Sequence, residues 1–202
     1  MAKLKFSKSA LKSERDALSR YRRFLPTLEL KKEQLVAEVR RIEKEQAEII
    51  KREEDLKTGL TKWTVLFSEP VELDKLVSVK AVKTKEGNIA GVPIPIYEET
   101  EFSLSDYDLT TTPAWVDYGI AAVKELSSLQ NQRAVLAEQQ RLINAEMRVT
   151  VQRINLFDKV KIPECKSNIR KIQIFIGDQQ ASAVVRGKIA KRKSTEKGGL
   201  TA

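Results

Sequence analysis

A seven-residue ladder limits this chain more than anything else in its sequence. Leu28, Leu35, Ile42, Ile49, Leu56 and Trp63 follow one another at equal spacing. A strict repeat of that length keeps one edge of a helix facing a partner helix in a left-handed supercoil. The companion column, Val39, Gln46, Glu53 and Leu60, is more polar. Leu11, Leu18 and Leu25 hold the same spacing in an earlier register, and the change of phase falls at Pro26. Between rungs the chain is almost wholly charged, as in RRIEKEQAEIIKREEDLK. A helix of that kind is paired along one edge and wet on the others.

A second helical pattern starts with Val116, Ile120, Val123, Leu126 and Leu129 and continues through Leu136, Ile143, Met147 and Ile154. After Phe157 its apolar seam resumes in a new phase at Ile162, Ile169 and Ile176, flanked by Cys165 and Ile172. Pro163 lies inside this run; a proline there removes one hydrogen bond and clashes with the preceding turn, so a bend or stutter is expected near residues 158–163. The fold class read from these patterns is mainly α, a long antiparallel two-helix coiled coil with a small β-hairpin-like insertion at its midpoint. The expected divisions are residues 1–66 and 114–194 for the helices, 67–113 for the insertion and 195–202 for a flexible tail. The expected seam sets Leu28, Leu35, Ile42, Ile49 and Leu56 against Leu129, Leu136, Ile143, Ile162, Ile169 and Ile176.

The insertion answers to a different period. LVSVKAV (76–82) reads as a strand from its β-branched content and alternation, and KTKEGN (83–88) supplies turn chemistry. In EGNIAGVPIPIYEE (86–99) the glycines and prolines exclude a helix. Yet Ile89, Val92, Ile94 and Ile96 make it too apolar for an idle linker. Prolines at Pro93 and Pro95 can sit only on an edge strand or outside a ladder. The stretch is therefore expected to be stiff and to offer an exposed edge for docking, with Ile89, Gly91, Val92, Pro93, Ile94 and Pro95 as candidate contacts. At the other end, RGKIAKRKSTEKGGLTA (186–202) concentrates Arg186, Lys188, Lys191, Arg192 and Lys193. Such a tail is either solvated or an arm that reaches an acidic or apolar collar on a partner.

Chemistry is hard to find. The chain has no histidine and a single cysteine, Cys165, which excludes His/Cys metal sites, imidazole bases and an intramolecular disulfide. Cys165 falls in an apolar helical pattern and reads as a packing residue. No glycine-rich phosphate loop is present, so no cofactor is signalled. The carboxylates of Glu53, Glu54 and Asp55 and of Glu98, Glu99 and Glu101 read as solvated faces, since a two-helix rod offers no enclosed pocket. No apolar run is long enough to be a signal peptide or to span a bilayer, which points to a soluble cytoplasmic chain. A formal charge of +9 favours an acidic partner surface. The six phenylalanines are scattered rather than gathered into a stacking platform for nucleic acid.

Three stretches resemble one family, the D subunits of the V-type and A-type rotary ATPases. LPTLELKK (25–32) resembles its N-terminal Pro-Thr signature. NIAGVPIP (88–95) with Tyr97 and Glu98 resembles its N-[VI]-A-G-V-x-x-P-x-[FY]-E segment. Arg153-Ile154-Asn155-Leu156 through Ile162-Pro163 to Asn168-Ile169-Arg170-Lys171-Ile172 resembles its R-[VI]-N-x-L…IP…I-x-x-I stretch. RIEKEQAEIIKREEDL (41–56) and the approach Thr110-Thr111-Thr112 to Trp115 depart from the family pattern and suggest a divergent bacterial branch. The resemblance implies a non-catalytic central rotor shaft that transmits torque between ATP synthesis or hydrolysis and proton or sodium translocation. Its implied partners are the A and B subunits of the ring, which Arg186 to Lys193 would contact, the F subunit of the stalk and the rotor connector C (d in eukaryotes). It implies a place on the inner face of the cell membrane through the complex, without direct membrane or nucleic-acid binding. It also implies that the midpoint segment docks near the membrane. A coiled-coil scaffold or adaptor, and a basic nucleic-acid-binding protein, are the alternative readings.

Overall fold

The computed structural model of the chain describes residues 5–61, 76–105, 107, 112–113 and 115–198. Helix α1 (Lys8–Thr61) is followed by strands β1 (Val77–Ile89) and β2 (Val92–Leu104), helix α2 (Val116–Asn155), a π-helical turn (Leu156–Lys161) and helix α3 (Ile162–Gly198). The fold is mainly helical, with one two-stranded antiparallel hairpin. Trp63, the last rung of the ladder, and the first part of the insertion, residues 67–75, lie outside the described residues. So do Thr110, Thr111 and residues 199–202 of the tail, whereas residues 195–198 belong to α3.

Ser7 starts α1: its hydroxyl accepts the Ala10 N–H at 3.1 Å, satisfying one of the orphan donors of the first turn. The helix then runs unbroken through Pro26. Asp117 stands in the first turn of α2, where a carboxylate is favoured by the helix dipole.

The chain divides into two compact units. In the first, Lys31–Thr150, the seam packs as its spacing demands. Leu35, Ile42 and Ile49 of α1 are buried in one cluster with Leu129, Leu136 and Ile143 of α2, and Val39, Leu56 and Met147 pack against its sides. Lys31 meets Glu146 at 2.6 Å, Gln140 meets Glu43 at 3.3 Å and Arg133 meets Glu53 at 3.2 Å. Partner numbers fall on α2 as they rise on α1, so the pair is antiparallel. Burying a Leu or Ile contributes about 2 kcal/mol, whereas an exposed ion pair contributes about 0–1 kcal/mol, so the seam holds the helices and the ion pairs set their register.

The second unit comprises Met1–Leu30 and Val151–Ala202. Its pairing is also antiparallel: Phe6 and Tyr21 lie with ring centroids 5.0 Å from Phe175 and Phe157, and Asn168 donates to Glu14 at 3.4 Å between them. Leu28 is half-buried on α1. On α3 the buried residues are Ile162, Cys165 and Ile172, while Ile169 and Ile176 are half-buried. The stutter expected near Pro163 takes the form of the π turn, in which the Ile162 N–H donates to the Phe157 carbonyl five residues back.

Candidate functional site

The hairpin differs from its sequence reading in where it turns. β1 continues through KTKEGN to Ile89, and the reversal falls at Ala90-Gly91, not at residues 83–88. Ala90 has φ +50° and Gly91 φ +83°, the positive values that a two-residue hairpin turn with the native twist requires at both central positions. Asn88 Oδ1 accepts the Gly91 N–H at 2.9 Å and closes the turn. Asn88, the last residue of KTKEGN, and Gly91 thus supply the turn chemistry, and residues 83–87 belong to β1.

Pro93 and Pro95 stand opposite Asn88 and Glu86. With no N–H to give, they must occupy positions whose backbone faces away from β1. A two-stranded ribbon is all edge, which is why β2 tolerates them. The outward carbonyl of Pro95 accepts from Gln139 Nε2 of α2 at 2.5 Å, and Gln139 is itself buried. At Pro95 that edge of β2 is therefore held by the chain's own helix. Two register shifts, between Val79 and Ala81 and between Lys83 and Thr84, interrupt the ladder farther along.

Period-two alternation decides what the hairpin offers. Val92 and Ile94 are buried in the seam cluster with Leu35, Ile42 and Leu136, and Ile89 and Ala90 pack against it. Gly91 and Pro93 are exposed and Pro95 is half-buried. Ile94 is 4% exposed, whereas Ile96 is 43% exposed and stays at the surface. Ile96 also lies across Gly87, where a Cβ would come within 2.5 Å of its Cδ1. Thus the candidate docking residues split between an inward row that fixes the hairpin to the helices and an outward row that remains accessible. At the hairpin base, Val77, Trp115, Val116 and Ile120 form a second cluster, with Phe102 and Tyr107 packed on it, and the Tyr107 hydroxyl donates to Asp117.

On the surface of the ribbon Lys83 bridges Glu99 at 2.6 Å and Glu101 at 2.7 Å. Hydrogen bonds to Glu101 and then Glu99 push the Lys83 ammonium above its ordinary range, and the same contact holds the Glu101 carboxyl below its own. Glu53 is 3% exposed; Arg133 faces one oxygen, and the other has no hydrogen-bond partner. Sequence reasoning counted Glu53 among solvated carboxylates and passed over Gln139. Both occupy seam or near-seam positions, and a polar residue on that phase was the available signal. Among the described residues no cluster of side chains could hold a metal ion, and no helix is long and apolar enough to cross a membrane.

From Gly177 to Ser194 α3 is exposed throughout. This stretch carries Val184, Val185 and Ile189 together with Arg186, Lys188, Lys191, Arg192 and Lys193.

Antiparallel helix pairing, with a two-stranded hairpin packed on the seam of the Lys31–Thr150 unit, defines a mainly helical protein of the coiled-coil class. Residues 10–192 match the family model that describes the D subunit of ATP synthase. The chain is 44% identical over 197 residues to the D subunit of the V-type ATP synthase of Borreliella burgdorferi, covering 98% of both chains. It is 33% identical over 195 residues to the protein of that name from Chlamydia abortus, covering 95% of this chain and 94% of the relative. The Chlamydia pneumoniae protein is 34% identical over 193 residues, 94% and 92% of the two chains. The chain belongs to the family of ATP synthase D subunits.

Proposed function

We propose that this chain is the non-catalytic central rotor shaft of a V/A-type ATPase, carrying torque between the A/B ring and ion translocation at the membrane rotor. The observation that carries the reading is the exposed stretch of α3 from Gly177 to Ser194. A helix surface with Val184, Val185 and Ile189 in water gains little from its own fold; enclosure by a partner would bury those side chains, and the five cations from Arg186 to Lys193 suit an acidic collar. The F subunit and the connector C/d are assigned to the unit that bears the hairpin, whose outward row holds the exposed Gly91 and Pro93. The complex would hold the chain at the inner face of the membrane.

The test is a reversible lock. A thiol placed by Lys188→Cys in the assembled complex is joined to the ring through a reducible cross-linker; Cys165 is buried and does not compete. ATP hydrolysis is expected to stop on cross-linking and to return on reduction. A cross-linked complex that still turns over at the full rate would show that the chain does not rotate against the ring.

A further inference from the structure

Between the hairpin and the helices of the Lys31–Thr150 unit lies a cleft of about 360 Å³. Ile89, Ile94, Ile96 and Leu136 form its apolar wall, and Glu38, Arg41 and Glu45 stand along its α1 side. Arg41 is shared: its Nε lies 3.1 Å from Glu38 Oε2 and 3.6 Å from Glu45 Oε1. One guanidinium between two carboxylates leaves a negative rim on a chain whose formal net charge is +9. Glu38 Oε2 is also shut off from solvent and, beyond its ion pair with Arg41, has no hydrogen-bond partner. A carboxylate oxygen in that condition is costly until a donor reaches it. Ile96, unpaired with the seam and exposed, stands at the mouth.

We propose that this cleft receives an arginine or lysine side chain from a protein partner, its aliphatic stem lying on Ile89, Ile94 and Ile96 and its charged head meeting Glu38 and Glu45. Long cationic side chains combine those two chemistries, and a donor arriving along the apolar wall meets the two carboxylates that share the one Arg41 guanidinium. The occupant wedges the hairpin against α2, on the side where Gln139 already holds the Pro95 carbonyl. The proposal rests on the hairpin being a docking element of the shaft, and names the chemistry of what docks.

The experiment uses the full chain in the assembled, purified complex with a benzophenone amino acid replacing Ile96. Irradiation is expected to join it to one partner segment that contains an arginine or lysine beside the attachment point. Glu38→Gln with Glu45→Gln should lower the yield about tenfold, the effect of losing a charge-assisted contact. The thermal melt of the free double variant should match the parent, since the part-exposed ion pairs of Arg41 with Glu38 and Glu45 contribute little to stability. Attachment only within the chain, attachment to a segment without a basic residue, or a yield unchanged in the double variant would each overturn the proposal. Co-purification with the large ATPase subunits is scored in the same sample. If it holds while the cross-link fails, only the cleft assignment falls; if it is lost with the parent chain, the shaft reading falls with it.

Discussion

Gly91 shows how much one backbone angle can decide. At φ +83° it occupies the left-handed region, and a Cβ built there meets nothing within 4 Å. Gly91→Ala therefore introduces no clash, and its whole effect is the backbone penalty of about 1–2 kcal/mol for an L-residue in that region. The neighbouring Ala90, at φ +50°, already bears such a cost, held in place by its packing on the seam cluster and by the Asn88 cap on Gly91. Chemical denaturation of the parent and of Gly91→Ala should give the same m-value and a lower midpoint for the variant. An unchanged midpoint would mean that alanine adopts the positive φ at this position without the expected cost. A changed m-value would mean that the hairpin detaches from the helices rather than bearing the strain.

Among the elements, the π turn explains a mismatch that the sequence only hinted at. Sevens counted from the buried Leu129, Leu136 and Ile143 reach Thr150, which is buried, and Phe157, which packs on Tyr21. Two steps farther they would reach Glu164 and Lys171, which are exposed; Cys165 and Ile172, each one residue later, are buried instead. The five-residue hydrogen bond from Ile162 to Phe157 absorbs that extra residue. Deleting Asp158 should let the turn relax to α-helix and bring Cys165 and Ile172 onto the sevens, with helicity and melting temperature kept or raised. Inserting one alanine after Asp158 should rotate the following residues by about 100° and expose Ile162, Cys165 and Ile172, at about 2 kcal/mol for each. Far-UV melts of the two variants check this. Equal destabilisation by deletion and insertion would mean that the turn holds contacts of its own beyond phase correction.

Over the whole molecule, what the sequence disclosed depended on whether a signal was periodic. Leu35, Ile42, Ile49, Leu129, Leu136 and Ile143 were legible because a helix buries what recurs on one edge. The alternation of Val92, Ile94 and Ile96 marked a strand with two faces, but not that the seam would claim Val92 and Ile94 and leave Ile96 in water, since that depends on where the hairpin lies over the helices. Gln139 and the cleft at Glu38 were illegible for the same reason: each exists through a neighbour distant in sequence. Composition, by contrast, fixes a global property. With no histidine, no side chain here ordinarily titrates between pH 6 and 8. Glu101, hydrogen-bonded to Lys83, and Glu138, hydrogen-bonded to Arg141, have carboxyls held below the ordinary 4.5. Their contribution is present above that value and is lost as pH falls through the lowered folded pKa; both are solvent-exposed, so the loss is shallow. Burial, and then the contact with Glu14, push the Cys165 thiol from 9.0 up to about 11. The fold favours its neutral form, so that contribution is complete below pH 9 and is lost between about 9 and 11. The Tyr107 hydroxyl, raised above 10.0 chiefly by its hydrogen bond to Asp117, adds to the alkaline side. The melting temperature should be level from pH 6 to 8, decline gently in acid and begin to fall near pH 9, and Cys165→Ser should delay that fall because a serine hydroxyl does not titrate there. A melt series in half-unit steps at low salt reads all three limbs. A step between pH 6 and 8 would contradict the level region, and an alkaline limb unmoved by Cys165→Ser would leave Tyr107 and the paired lysines Lys83 and Lys161 as its sources.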